Sequence, residues 1–450
     1  MKKIHGVLVL AGLLAGSTVA LQAAVPAEEA AKLGTTLTPL GAEKAGNADG
    51  SIPAYTGGLT TAPAGFKKGS AVLVDPFAGE KPLFTIDAKN AGQYAGKLTE
   101  GAKALLKSNP GFRMEVYPSH RSMAFPKSVQ DNTIKNATRA KLTEDGIGVT
   151  GAWGGIPFPI PKNGNEAIQN HLLRYRGVSL TFPKANVFYI DPSGKRNVSS
   201  IAVTLDEWPY YGSSEGSTDI LYRSKAAYSA PARRVGEAVI AIDPVNNSAK
   251  SRRAWSYLPG QRRVRVAPDI AYDTPNPSTG SMSTYDDIGM LTGKIDRFNW
   301  KLVGKREIYV PYNNYRALFA QNPDEIFPAK AINPNYGRWE LHRVWVVEAT
   351  LKAGKRHVYS KRTYYLDEDS WYAVANDQYD GRGQLWRTNF QHTAPSYEAL
   401  APAAFIGGYD LIANSYYIYQ WPSTTGLKFG DKLSPDAAWT PDALAQSGIR

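Results

Sequence analysis

The stretch from Arg252 to Val266, RRAWSYLPGQRRVRV, alternates large and polar side chains, turns at Leu-Pro-Gly-Gln, and alternates again with arginine. Successive strand residues point to opposite faces, so this pattern predicts a β-hairpin. It sets Trp255 and Tyr257 on one face, with Arg263 and Arg265 flanking Val264 on the returning strand. A longer unit follows. Runs at Trp339 to Lys352, Arg356 to Leu366, Trp371 to Tyr379 and Gln384 to Phe390 are joined by Ala-Gly-Lys, Asp-Glu-Asp-Ser and Asp-Gly-Arg-Gly. Runs with such short joints predict an antiparallel meander in which Arg356 to Leu366 lies between its sequence neighbours.

These runs are rich in Trp, Tyr and Val, and they hold apolar groups at both parities of the alternation: Trp345 and Val347, but also Val344 and Val346. Both faces of the sheet are therefore expected to be covered. Two arrangements satisfy this, an ordinary sheet packed on helices or a curved sheet wrapped round an apolar cavity. In the second, the candidate cavity-lining aromatics are Trp255, Tyr257, Trp345, Tyr364, Trp371 and Trp386.

With 450 residues, 43% of them hydrophobic and 11% aromatic, the chain can bury a sizeable core in one or two domains. Residues 25–110 lack long periodic runs and read as an extended arm with short helices such as Ala91 to Lys107. Residues 111–394 form the expected sheet core. Residues 395–450 lose the strand-and-turn signal and read as a helical or irregular tail, with Tyr416 to Trp421 a short strand at most.

Lys2 and Lys3 precede an apolar run from Val7 to Ala15 and then small residues through Ala24, which predicts a signal peptide over residues 1–24 and a mature N-terminus between Leu21 and Pro26. No other stretch is long and apolar enough to span a bilayer. The chain has no cysteine, so it carries neither a lipid-modified cysteine nor a disulfide. The expected location is the periplasm. A net charge of +12 would suggest nucleic acid in a cytoplasmic protein, but export removes that partner. Arg262, Arg263 and Arg265 then read either as contacts to an anionic envelope surface or as a solvated edge guarded against aggregation.

Signatures of catalysis are thin. Gly212 to Gly216, GSSEG, matches a nucleophile elbow in letters but follows Trp-Pro-Tyr-Tyr rather than a buried strand. The histidines at 120, 171, 342, 357 and 392 show no pair at metal-ligand spacing, and Asp367-Glu368-Asp369 lacks the ligand array of a calcium loop and reads as a polar turn. Gly151 to Gly155 lacks the lysine and Ser/Thr of a phosphate-binding loop. No catalytic residue, metal ligand or cofactor is expected.

Several stretches carry a resemblance: LGTTLTPLGAEKAGNADGSIPAYTGG, NPGFRMEVYPSHRSMAFP, GAWGGIPFPIPKNGNEAIQNHLLRYRG, AWSYLPGQRRVRVAPD, DRFNWKLVGKREIYVPYNNY and the meander. Through them the chain resembles the bacterial family known as domain of unknown function 1329. Members are often encoded near an outer-membrane protein family and resistance-nodulation-division-type exporters, so the resemblance implies a role alongside envelope transporter components in moving hydrophobic compounds. The segments WSYLPGQRRVRV and RTYYLDEDSW are also similar to strands of the LolA/LolB-like lipoprotein carriers. That similarity implies an α+β fold: a curved antiparallel half-barrel with helices covering one side, preceded here by the N-terminal arm. The expected function is a periplasmic, non-enzymatic carrier of a lipid or other hydrophobic molecule. A carrier needs no motif, because burying each methylene contributes roughly 0.8 kcal/mol. The alternative is a glycan-binding or glycan-active protein, in which surplus Trp and Tyr stack on sugars.

Overall fold

The structure is a computed structural model and describes residues 25–447, so the expected signal peptide lies outside the described residues. Two meanders carry the architecture. The first comprises β1 (Ser179–Ile190), β2 (Arg196–Glu207), β3 (Ile220–Ala230), β4 (Ala238–Pro244), β5 (Arg253–Leu258) and β6 (Arg263–Val266). The second comprises β7 (Phe298–Pro311), β8 (Trp339–Leu351), β9 (Lys361–Asp367), β10 (Ala373–Tyr379), β11 (Leu385–Ser396), β12 (Ala401–Asp410) and β13 (Ser415–Trp421). Within each meander every strand pairs antiparallel with the next, and β13 pairs with β1 to join the two. With the short strands Phe84–Ile86, Met114–Val116 and Lys428–Gly430 this makes one sixteen-stranded sheet. It does not close: the strand order runs from Phe84–Ile86 at one end to β6 at the other, with β7 paired to β8 off this path.

Register shifts at Phe182/Ala185, Val187/Phe188, Ile201/Ala202 and Ile220/Tyr222 place bulges in β1 to β3, and others at Leu302/Gly304, Tyr365/Leu366, Gln378/Tyr379 and Ile418/Trp421 spread them through the second meander. Each extra residue bends its strand and increases the local twist. The fold is thus α+β and dominated by an antiparallel sheet, as expected. Helices are few: α1 (Glu100–Ser108), α2 (Lys127–Arg139), α3 (Gly164–Leu172) and α4 (Pro441–Ser447) are the longest among the described residues. Gly164 is where α3 meets β7, since a Cβ there would sit 2.4 Å from the Trp300 carbonyl carbon.

The hairpin over 252–266 is β5–β6, with Val264 opposite Tyr257 and Arg265 opposite Ser256. The meander order also holds, with β9 between β8 and β10. Its bounds differ from those read in the sequence. Residues 356–360 are not strand: His357 faces Asp286 at 3.0 Å and the Val358 amide donates to Asp273 at 3.0 Å, which ties this segment to the linker between the meanders. Trp371 precedes β10 and closes the β9–β10 turn with φ 62°. In the arm, the expected helix over Ala91 to Lys107 is divided. A 3₁₀ stretch, Ala91–Lys97, stops before Thr99, whose hydroxyl caps α1 by accepting from the Ala102 amide at 3.0 Å.

The C-terminal region is the clearest correction. Instead of a helical or irregular tail, residues 395–450 supply the end of β11, all of β12 and β13, and Lys428–Gly430; α4 is the only α-helix there among the described residues. The text AAFIGGYD obscured this, because its glycines weaken a strand pattern. In the structure Gly408 is a strand residue that lets neighbours cross: a Cβ would lie 2.2 Å from both Asn389 Oδ1 and the Tyr417 ring. The sheet therefore runs from residue 84 to residue 430 rather than ending at 394.

Candidate functional site

Alternation sorts the first meander into two faces. On one face Leu205, Ala238 and Ile240 pack with Trp439 and Leu444 of α4 as a small core, beside which an open apolar pocket of about 210 Å³ leaves Val203 half exposed. The opposite parity carries Ala185 and Val187 on β1, Ser200, Ala202 and Thr204 on β2, Ser224 and Ala226 on β3, and Val239 and Ala241 on β4. These residues are paired across strands: Ala185 with Ala202, Val187 with Ser200, Thr204 with Ala226, and Ala226 in turn with Val239. Cross-strand neighbours share a face, so small side chains stack into a continuous low floor. Tyr222, Tyr228, Tyr285 and Tyr419 rise round it, and Ile270, Asn276, Ser278 and Ile288 of the inter-meander linker arch over it.

The result is a narrow, open groove with a cavity volume of about 120 Å³. Two arginines reach it and both are neutralised. Arg252 donates to both oxygens of Asp243, at 2.7 and 2.6 Å. Arg234 donates to Glu237 and to the Ser278 hydroxyl, each at 2.8 Å, with its guanidinium 3.6 Å from the Tyr228 ring centroid. Burial holds the Tyr222 hydroxyl well above its ordinary range, so it is a neutral donor, here to Asp206 Oδ1 at 2.8 Å. Within the floor, the buried Thr204 hydroxyl has no partner.

None of the six aromatics singled out in the sequence lines this groove. Trp255 and Tyr257 pack with the small core under α4. Trp345 and Trp371 stack on each other. Tyr364 is fully buried, accepts from Arg362 at 3.0 Å and packs on Trp300. Trp386 donates to Asp410 at 2.9 Å and lies under the Arg387 guanidinium. Large rings fill the sheet's packed layers, and the open face is marked instead by small residues. That signal was present as every second residue of Ser200-Ile201-Ala202-Val203-Thr204 and of Tyr222 to Tyr228. Arg262, Arg263 and Arg265 are exposed on and beside the edge strand β6, away from the groove.

A second polar constellation lies where the arm meets the β9–β10 turn. Asp367, Glu368, Asp369 and Ser370 are all buried rather than a solvated turn. Arg121 donates to both oxygens of Asp369, at 2.9 and 2.6 Å, while Arg343 and Lys305 pair with Glu368. His342 stacks on Tyr312, and one ligand-type atom from each of His342, Asp367 and Asp369 falls within 4.8 Å of the others. Arg121 occupies both Asp369 oxygens and Glu340 faces His342 Nε2 at 3.1 Å, so arginine is the cation of this cluster. Burial, then the charge of Asp369, pushes the Asp367 carboxyl up to about 7. His342 and His357 do not face each other: His342 pairs across to Ile308, and His357 meets Asp286.

The fold and site define a class: an α+β protein with an open, bulged antiparallel sheet that carries a narrow groove on one face. Residues 85–445 match the family described as "Protein of unknown function (DUF1329)", and the chain belongs to it. An uncharacterized protein of Pseudomonas aeruginosa is similar at 42% identity over 469 residues, covering all of both chains. Similar solved structures are more distant. A Vibrio parahaemolyticus domain described as a candidate outer membrane lipoprotein-sorting protein aligns at 14% identity and TM-score 0.43, over 62% of this chain and 97% of its own. A DUF1329 family protein from Desulfovibrio piger aligns at 18% identity and TM-score 0.39, over 60% and 92%. A LolA superfamily protein from Nitrosomonas europaea aligns at 12% identity and TM-score 0.36, over 63% and 100%.

Proposed function

We propose that this protein is a periplasmic binding or carrier protein for a lipid or other hydrophobic molecule, seated in the groove on the β1–β4 face. The observation that carries the reading is the floor of Ala185, Val187, Ala202, Ala226, Val239 and Ala241, interleaved with Ser200, Thr204 and Ser224, a narrow track of small side chains walled by tyrosines. Such a track suits an unbranched chain, which gains roughly 0.8 kcal/mol for each methylene withdrawn from water. The periplasmic assignment rests on the Lys2-Lys3 start and apolar run of residues 1–24. Envelope transporter components are the partners to which such a carrier would deliver.

The test is equilibrium binding of a fluorescent fatty-acid probe to the mature protein and to Ala226→Trp, whose indole fills the floor. Saturable binding by the wild type, weakened tenfold or more in a folded Ala226→Trp protein, is the expected result. If the wild type binds no apolar probe but retains an oligosaccharide on the tyrosine walls, the glycan-binding alternative replaces this reading.

A further inference from the structure

Against the groove lies a second, smaller space that shares lining residues with it. Ile288 lines the groove and Gly289 lines this inner pocket, while Tyr419 and Gln420 line both. Two arginines converge here on Gly289: a Cβ added to that residue would lie 3.2 Å from Arg174 Nη2 and 3.6 Å from Arg176 Nη1. Arg176 lines the inner pocket, with its guanidinium 4.9 Å from the Trp208 ring centroid.

Arg174 is 3% exposed and has only neutral partners. It donates to the carbonyls of His171 and Gly289 and sits 4.7 Å from the centre of the Tyr372 ring, and its Nε has no partner. Neither guanidinium makes an ion pair among the described residues, whereas those of Arg234 and Arg252 beside them do.

Burying a charge without a counter-charge is costly, and buried arginines are ordinarily paired. The acid that faces this pair is Asp206, fully buried, whose Oδ1 accepts from Tyr222 and whose Oδ2 has no partner. Burial raises its pKa, against the opposing pull of Arg176, Ser224, Tyr222 and Gln420. His171 adds no charge, because burial and then Arg174 hold its pKa well below the ordinary value. Burial and the charge of Arg176 bring even Arg174 down to about 9. With Asp206 ionised, two cations still face one anion, and the excess is a single positive charge beside the groove.

We infer that the ligand is an anionic amphiphile whose headgroup, a carboxylate or phosphate ester, is held at Arg176 in the inner pocket under the added charge of the buried Arg174, with its chain lying along the groove. This deepens the carrier reading and rests on it. Arginine suits the task because its planar fork matches both headgroups bidentately. The Gln391 amide also lines the pocket with its oxygen unpartnered, and rotation of that amide would offer a further donor.

The experiment compares palmitate, hexadecyl phosphate and hexadecanol as competitors of a fluorescent apolar probe, using the wild type and Arg176→Gln. The expected result is that at least one anionic amphiphile competes tenfold or more better than hexadecanol, and that this preference collapses towards unity in Arg176→Gln while hexadecanol binding is unchanged. Which anion is preferred separates carboxylate from phosphate recognition. Equal competition by all three in the wild type overturns the headgroup site but leaves the carrier reading standing. No competition by any of them overturns both. Because the wild-type comparison needs no variant, poor folding of Arg176→Gln does not rescue the idea, and Arg176→Lys, which keeps the charge, should retain most of the preference.

Discussion

Trp371 stacks its indole on that of Trp345, ring centroids 6.2 Å apart and planes 10° from parallel, and donates its Nε1–H to the Leu40 carbonyl at 2.9 Å. The ring fastens the N-terminal arm to the sheet. Its left-handed backbone, φ 62°, is costly for a bulky residue and is held by the amide bond back to the Asp367 carbonyl at 2.9 Å.

Trp371→Ala is therefore expected to cost about 3–5 kcal/mol, the range for deleting a fully buried aromatic, without weakening apolar-probe binding in the protein that remains folded. Chemical denaturation run beside a probe titration checks both halves. Loss of affinity at unchanged stability would return Trp371 to the binding site.

The pairing of β8 to β11 was legible because the joints between their runs read as short and polar, and short joints leave little freedom but to pair neighbours. The union of β13 with β1 was not legible, since it links positions such as Ile418 and Phe188 across about half of the chain with no local signal. Gly407 and Gly408 hid β12 for a different reason: a glycine required by close packing looks the same in sequence as one that breaks a strand. The groove was not legible through size: Trp345, Tyr364 and Trp371 stand out in the sequence, whereas the groove is defined by where side chains are small. Arg174 and Arg176 carry no sequence signal of being unpaired, because that is fixed by which acids the fold leaves out of reach.

The arm is clasped to the sheet by Arg121, which holds Asp369 across a separation of 248 residues and donates to the Lys44 carbonyl. Removing one partner of a buried pair leaves the other charge uncompensated. Arg121→Gln should thus cost about 3–5 kcal/mol, more than a surface pair could. Hydrogen exchange should show the loss of protection concentrated at Thr38 to Tyr55, whose amides bond within this clasp. Uniform loss across the sheet instead would mean that the cluster supports the whole fold.

Gly408→Ala tests the crossing in β12. The neighbouring atoms belong to Tyr417, a rigid ring, and to Asn389, which is itself bonded to the Tyr417 hydroxyl at 2.8 Å and to Asn376 at 2.7 Å, so neither yields freely. Overpacking of this kind typically costs about 1–3 kcal/mol, read as a lowered denaturation midpoint at unchanged slope. A neutral result would show that β12 can shift away from its partners.

Asp377 gives the protein a defined response to pH. Its carboxylate accepts from the Gly101 amide at 3.0 Å, the Thr388 hydroxyl at 2.9 Å and the Tyr365 hydroxyl at 3.1 Å, but burial outweighs these bonds and pushes its pKa from 3.8 up to about 6. Below the lower value both folded and unfolded chains hold the proton and nothing is lost. Between the two values the unfolded chain has released it while the native chain keeps it, so the unfolded state binds fewer protons and stability falls as pH rises. At about 1.4 kcal/mol for each pH step of one between those values, the loss across that window is about 3 kcal/mol. Asp377→Asn removes the titration and keeps an acceptor for Gly101 and Thr388. The variant should therefore gain on the wild type as pH is raised from about 4 to about 6, and the difference between them should be flat on either side of that window. Urea unfolding of both proteins across this range measures it, and a difference that stays constant, or that shrinks as pH rises, would show that Asp377 ionises in the native protein as readily as in the unfolded chain.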